Sequence, residues 1–229
     1  MTRHTVSTGI PVSTMVVLML SVFTVSMGYG IILPLLPSLI ERLLGASSDA
    51  AHVSSATGLL TGLYTLSLFL FAALWGHLSD RFGRRLILLI GLGGFSVTML
   101  TFAFIENLSA IYIERFLSGM FAAAVTPVAL AVIGDLAATE EVRARRLTFV
   151  SLAGISGFLL GPMLGVFLTR RGSTWIPFLD AVGSLTVPLA ATAILSLLAA
   201  VGVLFTVAGH RTADAVRHTI LPETGGAAR

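Results

Sequence analysis

Gly76-His77-Leu78-Ser79-Asp80-Arg81-Phe82-Gly83-Arg84-Arg85 lies between two long apolar runs and reads as a compact charged turn. One Asp and three Arg within six positions cannot lie in hydrocarbon cheaply, so the stretch belongs at a membrane surface, where it pins the helix ends on both sides. Gly76 and Gly83 bracket it and permit tight backbone geometry where one helix exits and the next begins.

Composition leads to the same place. Of 229 residues, 55% are hydrophobic and 11% charged, against about a quarter charged in soluble domains. At about 20 apolar residues per span, this length holds roughly six helices with short loops and no sizeable soluble domain. The expected fold class is an all-α membrane protein: a polar N-terminus over 1–13, a six-helix transmembrane bundle over 14–208 and a polar tail over 209–229. All fourteen basic residues are Arg, and with a net charge of only +3 they are spread among the loops. They therefore argue for membrane topology rather than for a nucleic-acid partner. The absence of Cys removes disulfides, thiolate metal sites and Cys nucleophiles.

In chain order, the expected spans are 14–40, 56–75, 86–105, 108–133, 147–168 and 184–208. The first run is longer than the roughly 7–15 apolar residues of a secretory signal and is followed by five more, so it reads as a retained span. Gly28-Tyr29-Gly30 and Pro34-x-x-Pro37 are expected to break its hydrogen-bond ladder, which lipid tolerates only where protein or a cavity covers the freed backbone. Pro177, before the sixth span, suggests an interfacial lead-in. Leu221-Pro222-Glu223-Thr224-Gly225 has the letters of a sortase signal, yet no hydrophobic anchor follows it. The N-terminus, the 76–85 and 135–146 loops and the tail hold ten Arg; the alternate loops hold Arg42, Arg170 and Arg171. The positive-inside rule then places both termini in the cytoplasm.

Two further features could carry chemistry. Glu114 and Arg115 lie inside the fourth span, where a charge costs about 2.5–3.5 kcal/mol or more unless it is paired or wet. The bland account of this pair is an ion pair snorkelling to the surface. Gly157, Gly161 and Gly165, with Pro162 beside the middle one, form a stripe without Cβ atoms along the fifth span that lets another backbone approach closely. Gly91-Leu92-Gly93-Gly94 follows no strand, so it reads as helix packing rather than a nucleotide loop. No metal-ligand spacing, nucleophile elbow or Walker pattern is present, so neither an enzyme nor a cofactor is expected. Tyr29, Phe102, Phe104 and Phe121 are the aromatics that could line a cavity.

The opening stretch resembles the loop between helices two and three of the major facilitator superfamily, Gly-x-Leu-Ser/Ala-Asp-Arg-x-Gly-Arg/Lys-Arg/Lys, at every specified position. Arg115-Phe-Leu-Ser-Gly119-Met-Phe-Ala122-Ala123 is similar to its fourth-helix pattern, which is associated with proton coupling, with Ser118 in place of the usual Gln. Gly157 to Gly165 looks like the fifth-helix signature of the drug:proton antiporter branch. Gly28-Tyr-Gly-Ile-Ile-Leu-Pro-Leu-Leu-Pro37 looks like that branch's first helix. The resemblance implies efflux of a small molecule across the inner membrane by alternating access, with Arg115 and Glu114 in coupling. Gly76, Asp80, Arg81, Gly83, Arg84, Arg85 and Asp135 would form a conformational latch. Asp135 fits as an acid able to pair with the loop arginines, giving an expected cluster of Asp80, Arg84 and Asp135.

The superfamily has two six-helix halves, and this chain resembles one. A parallel homodimer, a separate partner half, and a truncated or repurposed half that serves as a non-transporting scaffold are the three arrangements compatible with that. In the homodimer, Asp80 of one copy approaches Leu147 to Val150 of the second; cysteines at 80 and 148 should crosslink in membranes, and monomers alone would count against it.

Overall fold

The computed structural model describes residues 10–45, 49–175 and 186–207. The chain forms α1 (Val12–Ile32), a 3-10 turn (Leu33–Leu35), α2 (Leu36–Leu44), α3 (Ala50–Phe82), α4 (Arg84–Phe102), α5 (Leu108–Ala122), α6 (Val125–Leu136), α7 (Glu140–Trp175) and α8 (Thr186–Thr206). Among the described residues, six helical segments are long and apolar enough to cross a membrane: Val12–Leu44, Ala50–Phe82, Arg84–Phe102, Leu108–Leu136, Glu140–Thr169 and Thr186–Thr206. They pack as one all-helical bundle. The lead-in at Pro177 and the Leu221–Gly225 letters lie outside the described residues.

The helices outrun the apolar windows that announced them. What reads as a ten-residue charged turn is helical on both sides of a single corner at Gly83, where φ is +95°. Gly76 is no bracket; it sits inside α3, and an added Cβ would meet nothing within 4 Å. Likewise the 135–146 loop shrinks to 137–139, and α7 begins at Glu140. Hydropathy marks the hydrocarbon thickness, whereas the backbone ladder continues into headgroup depth through Arg, Glu and Ala, which are good helix formers. Gly28-Tyr29-Gly30 is regular α-helix, so the first span breaks only at its prolines, through the 3-10 turn that contains Pro34.

Tight packing replaces the hydrophobic drive that lipid cannot supply. Here α1 and α7 form the closest pair. A Cβ on Gly157 would collide with the Phe23 carbonyl, and one on Gly161 would lie 2.7 Å from the Met27 carbonyl and 2.9 Å from Gly30 Cα. Pro162 has no amide to bond the Phe158 carbonyl. That freed oxygen faces α1 where Gly30 sits, 2.5 Å from where a Cβ would be. Gly30 and Pro162 are thus two halves of one contact, with the glycine Cα–H covering an orphan carbonyl.

On the opposite flank, α4 and α8 exchange two hydrogen bonds. Ser96 Oγ donates to the Ala193 carbonyl at 2.9 Å and Ser196 Oγ to the Leu92 carbonyl at 2.8 Å. Thr14 Oγ1 donates to the Thr206 carbonyl at 3.0 Å, tying α1 to the same flank. At the Gly83 end, Arg146 Nη1 donates to the Ile10 carbonyl at 2.9 Å and joins the starts of α7 and α1.

Overpacking the α1–α7 seam should therefore be costly. Gly161→Leu is expected to destabilise the solubilised protein by about 1–3 kcal/mol. Gly93→Ala, whose methyl would meet no atom within 4 Å, should be close to neutral. Denaturant unfolding in detergent compares the two.

Candidate functional site

A cleft of about 370 Å³ opens on one face of the bundle, between α1, α3, α7 and the α5–α6 junction. Its walls include Tyr29, Tyr64, Leu68, Thr126, Ile155 and Phe158. Tyr29 lies at the centre of a three-ring stack. Its ring is 4.6 Å from that of Tyr64 at 9°, and 5.9 Å from that of Phe158 at 23°. Such offset stacks contribute about 0.5–1.5 kcal/mol per pair beyond burial and hold a flat, apolar wall with a hydroxyl edge. A larger depression of about 590 Å³ lies between the end of α2 and the starts of α3 and α5, lined by Leu44, Asp49, His52 and Tyr112. Volume does not decide between them: the first cleft has in its wall Tyr64, which lies within electrostatic reach of a buried charge pair.

That charge is the Glu114–Arg115 pair of α5. Arg115 Nε donates to Glu114 Oε2 at 2.7 Å and Nη2 to Oε1 at 2.9 Å, a two-pronged bond between neighbours in sequence. The side chains are 4% and 2% exposed, so the pair lies within the bundle; a snorkelling pair would be at the surface. Phe102 of α4 supplies the other face, its ring centre 4.4 Å from the Arg115 guanidinium carbon. A cation over an aromatic ring is worth about 2 kcal/mol when desolvated, which helps offset the burial. Tyr64, at the back of the cleft, is within electrostatic reach of both charges. Gly119 makes this closeness possible, because a Cβ there would sit 2.6 Å from the Tyr64 carbonyl. Ser118, also buried, returns its hydroxyl to the Arg115 carbonyl at 3.1 Å.

The fourth span is interrupted next to this site. The Ala124 amide turns to the Phe121 carbonyl at 3.1 Å instead of the Met120 carbonyl one residue earlier. The Trp75 indole N–H of α3 donates to that Met120 oxygen at 2.7 Å, and Ser67 Oγ donates to the Phe116 carbonyl at 2.7 Å. Two side chains of α3 thus hold α5 by its backbone on either side of Gly119.

The Gly83 corner forms a third cluster. Arg84 binds Asp80 Oδ1 through Nη1 at 2.6 Å and Asp135 Oδ2 through Nε at 3.0 Å, and it also donates to Ser79 Oγ. Arg84 is therefore the hub that joins the end of α3, the start of α4 and the end of α6. Arg81 lies over the Phe82 ring at 5.5 Å on the exposed side. Arg85 is half-buried and makes no ion pair among the described residues.

The structure thus brings Asp80, Arg84 and Asp135 together, and separately Glu114 and Arg115. It sets Gly157, Gly161 and Gly165 against α1, with Pro162 next to Gly161 inside the same helix. Of the aromatics considered for a cavity, Tyr29 lines the cleft. Phe102 instead lies beneath Arg115, Phe121 packs onto Gly94 of α4, and Phe104 is exposed. Tyr64, Phe158 and Trp75 were not singled out in the sequence. No spacing links them to one another or to α5, although an indole in a lipid-depth helix always needs an acceptor.

A bundle of six helices long and apolar enough to span a membrane, with buried ionic and aromatic groups gathered beside a cleft on one face, defines a polytopic membrane protein. The particular family follows from comparison. The profile of the Major Facilitator Superfamily matches residues 18–223, and the chain belongs to that family. It is 33% identical over 154 residues to the quinolone resistance protein NorA of Staphylococcus aureus, covering 67% of this chain and 38% of that protein. It is 30% identical over 158 residues to multidrug resistance protein 2 of Bacillus subtilis, covering 69% and 37%. The fold is similar to the xylose transporter XylE from E. coli in its inward-open conformation, with a TM-score of 0.71 at 19% identity over 91% of this chain and 52% of that one. The chain therefore spans about two fifths to one half of the length of these proteins.

Removing one member of the buried pair should hurt more than removing both. Arg115→Met strands a carboxylate and is expected to cost about 3–5 kcal/mol. Adding Glu114→Leu should restore most of that loss, and thermal unfolding in detergent measures both.

Proposed function

We propose that the chain forms one six-helix half of a small-molecule exporter that works by alternating access and is driven by protons. The observation that carries this reading is the cleft between α1, α3, α6 and α7 with the Glu114–Arg115 pair directly behind its aromatic wall. In this reading the cleft is half of the substrate chamber, and a second six-helix bundle supplies the opposite wall. Binding near the bilayer midplane between two bundles is the general arrangement of such transporters.

In this reading each cluster takes a role. The Tyr29–Tyr64–Phe158 stack offers a flat apolar surface to substrate. Glu114 is the group that gains and loses a proton, and Arg115 is its electrostatic switch: protonation of the carboxylate releases the guanidinium from its two-pronged bond and leaves a buried charge seeking a new partner. That partner is substrate, water entering the cleft, or the other bundle. The Arg84 hub, with Gly83 at the corner and Asp80 and Asp135 on either side, is the latch that fixes one state. It sits at the cytoplasmic end, with both termini on that side of the inner membrane, as the distribution of Arg favours. The drug-resistance functions of the relatives support export, and their lengths support the need for a second bundle.

Everted vesicles carrying the complete assembly test this reading. An imposed pH gradient should drive uptake of a fluorescent hydrophobic dye. Glu114→Gln can accept only one of the two Arg115 hydrogen bonds and cannot titrate, so it imitates the protonated carboxyl and should abolish gradient-driven uptake while leaving insertion intact. Arg115→Ala should also abolish it, and undiminished uptake in both variants would overturn the coupling assignment.

A further inference from the structure

We infer that Tyr64 is the positioning residue that carries the charge state of the Glu114–Arg115 pair to the cleft: when Glu114 is protonated, the Tyr64 hydroxyl accepts from the freed guanidinium and donates to an acceptor standing in the cleft. The inference rests on the exporter reading for its purpose, and on the packing of α3 against α5 for its evidence.

A guanidinium carries five N–H donors in a fixed fork. Two of those on Arg115 go to Glu114, from Nε at 2.7 Å and from Nη2 at 2.9 Å. Among the described residues Nη1 donates to none, and one face of the group is covered by the Phe102 ring. Protonation of Glu114 removes the charge that holds this fork, so a cation that is 2% exposed is left short of acceptors. A buried charge without partners is the costly condition.

Tyr64 is placed to answer it. A Cβ on Gly119 would stand 2.6 Å from the Tyr64 carbonyl, so α3 and α5 touch at this level, and Arg115 lies one turn before Gly119 on the same face. As the second and fourth spans, α3 and α5 run in the same direction, and helical side chains lean toward the N-terminus of their helix. From the level of Gly119 the Tyr64 ring therefore leans back toward Arg115. Arg115 and Glu114 of α5 and Tyr29 of α1 are the titratable groups that act on Tyr64, and Arg115 is the one that acts on Glu114. On the α4 side the pair meets Phe102, which does not titrate.

The same side chain faces the cleft. Tyr64 belongs to its wall, whereas Arg115 and Glu114 do not, so the hydroxyl stands between the pair and anything bound there. The ring is held flat against Tyr29 at 4.6 Å and 9°, which leaves rotation of the hydroxyl as its freedom. Among the described residues that hydroxyl makes no hydrogen bond, and the one fully buried side-chain N or O atom without a partner is Thr186 Oγ1. The Tyr64 oxygen is therefore open to the cleft. A hydroxyl has one donor and two acceptor positions, so it can take an N–H of Arg115 and still donate outward. The atom it meets is an acceptor, either water or an oxygen or nitrogen of substrate. Accepting from a cation strengthens the bond a hydroxyl donates, so a proton on Glu114 is felt at the substrate surface. That proton stays on Glu114 and Tyr64 keeps its own; only hydrogen-bond partners change.

Infrared difference spectra of the full chain in liposomes test this directly. The carbonyl band of protonated carboxyls is followed with pH, and the part lost in Glu114→Gln belongs to Glu114. Tyr64→Phe keeps the ring stack but removes the acceptor from the protonated state alone, so the Glu114 midpoint should move about 1–2 pH units lower. Tyr112→Phe removes a hydroxyl from the same helix as Glu114, in the wall of the other depression, and should leave the midpoint in place. An unmoved midpoint in Tyr64→Phe, equal shifts in both variants, or no Glu114 band in the wild type would overturn the inference. Wild-type dye uptake that ignores the pH gradient would sink the exporter reading alone. Gradient-driven uptake with an unmoved midpoint in Tyr64→Phe would sink this one alone.

Discussion

The bundle depends on one constraint: a polar group at membrane depth must find its partner inside the protein, because lipid offers none. The partnerships fall into a pattern. Ser96 and Ser196 reach across to carbonyls of facing helices, Trp75 takes the carbonyl left open where the fourth span breaks, and Gly30 covers the one left open by Pro162. Arg115 and Glu114 satisfy each other. The breaks at Met120 and at Pro162 are each answered by a residue of a neighbouring helix, so there the irregularity and the packing are one design.

The same constraint sorts the helices into two flanks. On one, α4 and α8 are joined by short hydroxyl bonds, and α1 reaches α8 through Thr14. On the other, α3 and α7 are held by their inner faces only, α3 by α5 and α7 by the glycine seam with α1, and the cleft opens between them. Helix breaks occur in α1–α2 and α5–α6, whose walls line that cleft. A helix that is already interrupted can bend at the interruption without losing further hydrogen bonds.

Much of this could be read from the chain. Gly76 to Arg85 pointed to the family, hydropathy gave six spans, and the cluster of Arg84 with Asp80 and Asp135 was what the resemblance to that family implied. Boundaries were less legible, because hydropathy stops at the hydrocarbon edge while α3 and α7 continue beyond it. Gly76 misled for a related reason: a glycine at the end of an apolar run resembles a helix exit whether or not the ladder continues.

By itself, then, the sequence determined the class, the number of spans and the places where charge or glycine had to be accommodated, since these are properties of residues in a given solvent. Only the tertiary structure decided which partners accommodate them. That Phe102 lies under Arg115 while Tyr29 faces the cleft, and that Gly161 meets α1 while Gly62 meets nothing, depends on the rotation of each helix about its axis. Rotation is set by contacts between segments far apart in the chain, and in a helix that is apolar on all sides no local pattern records it.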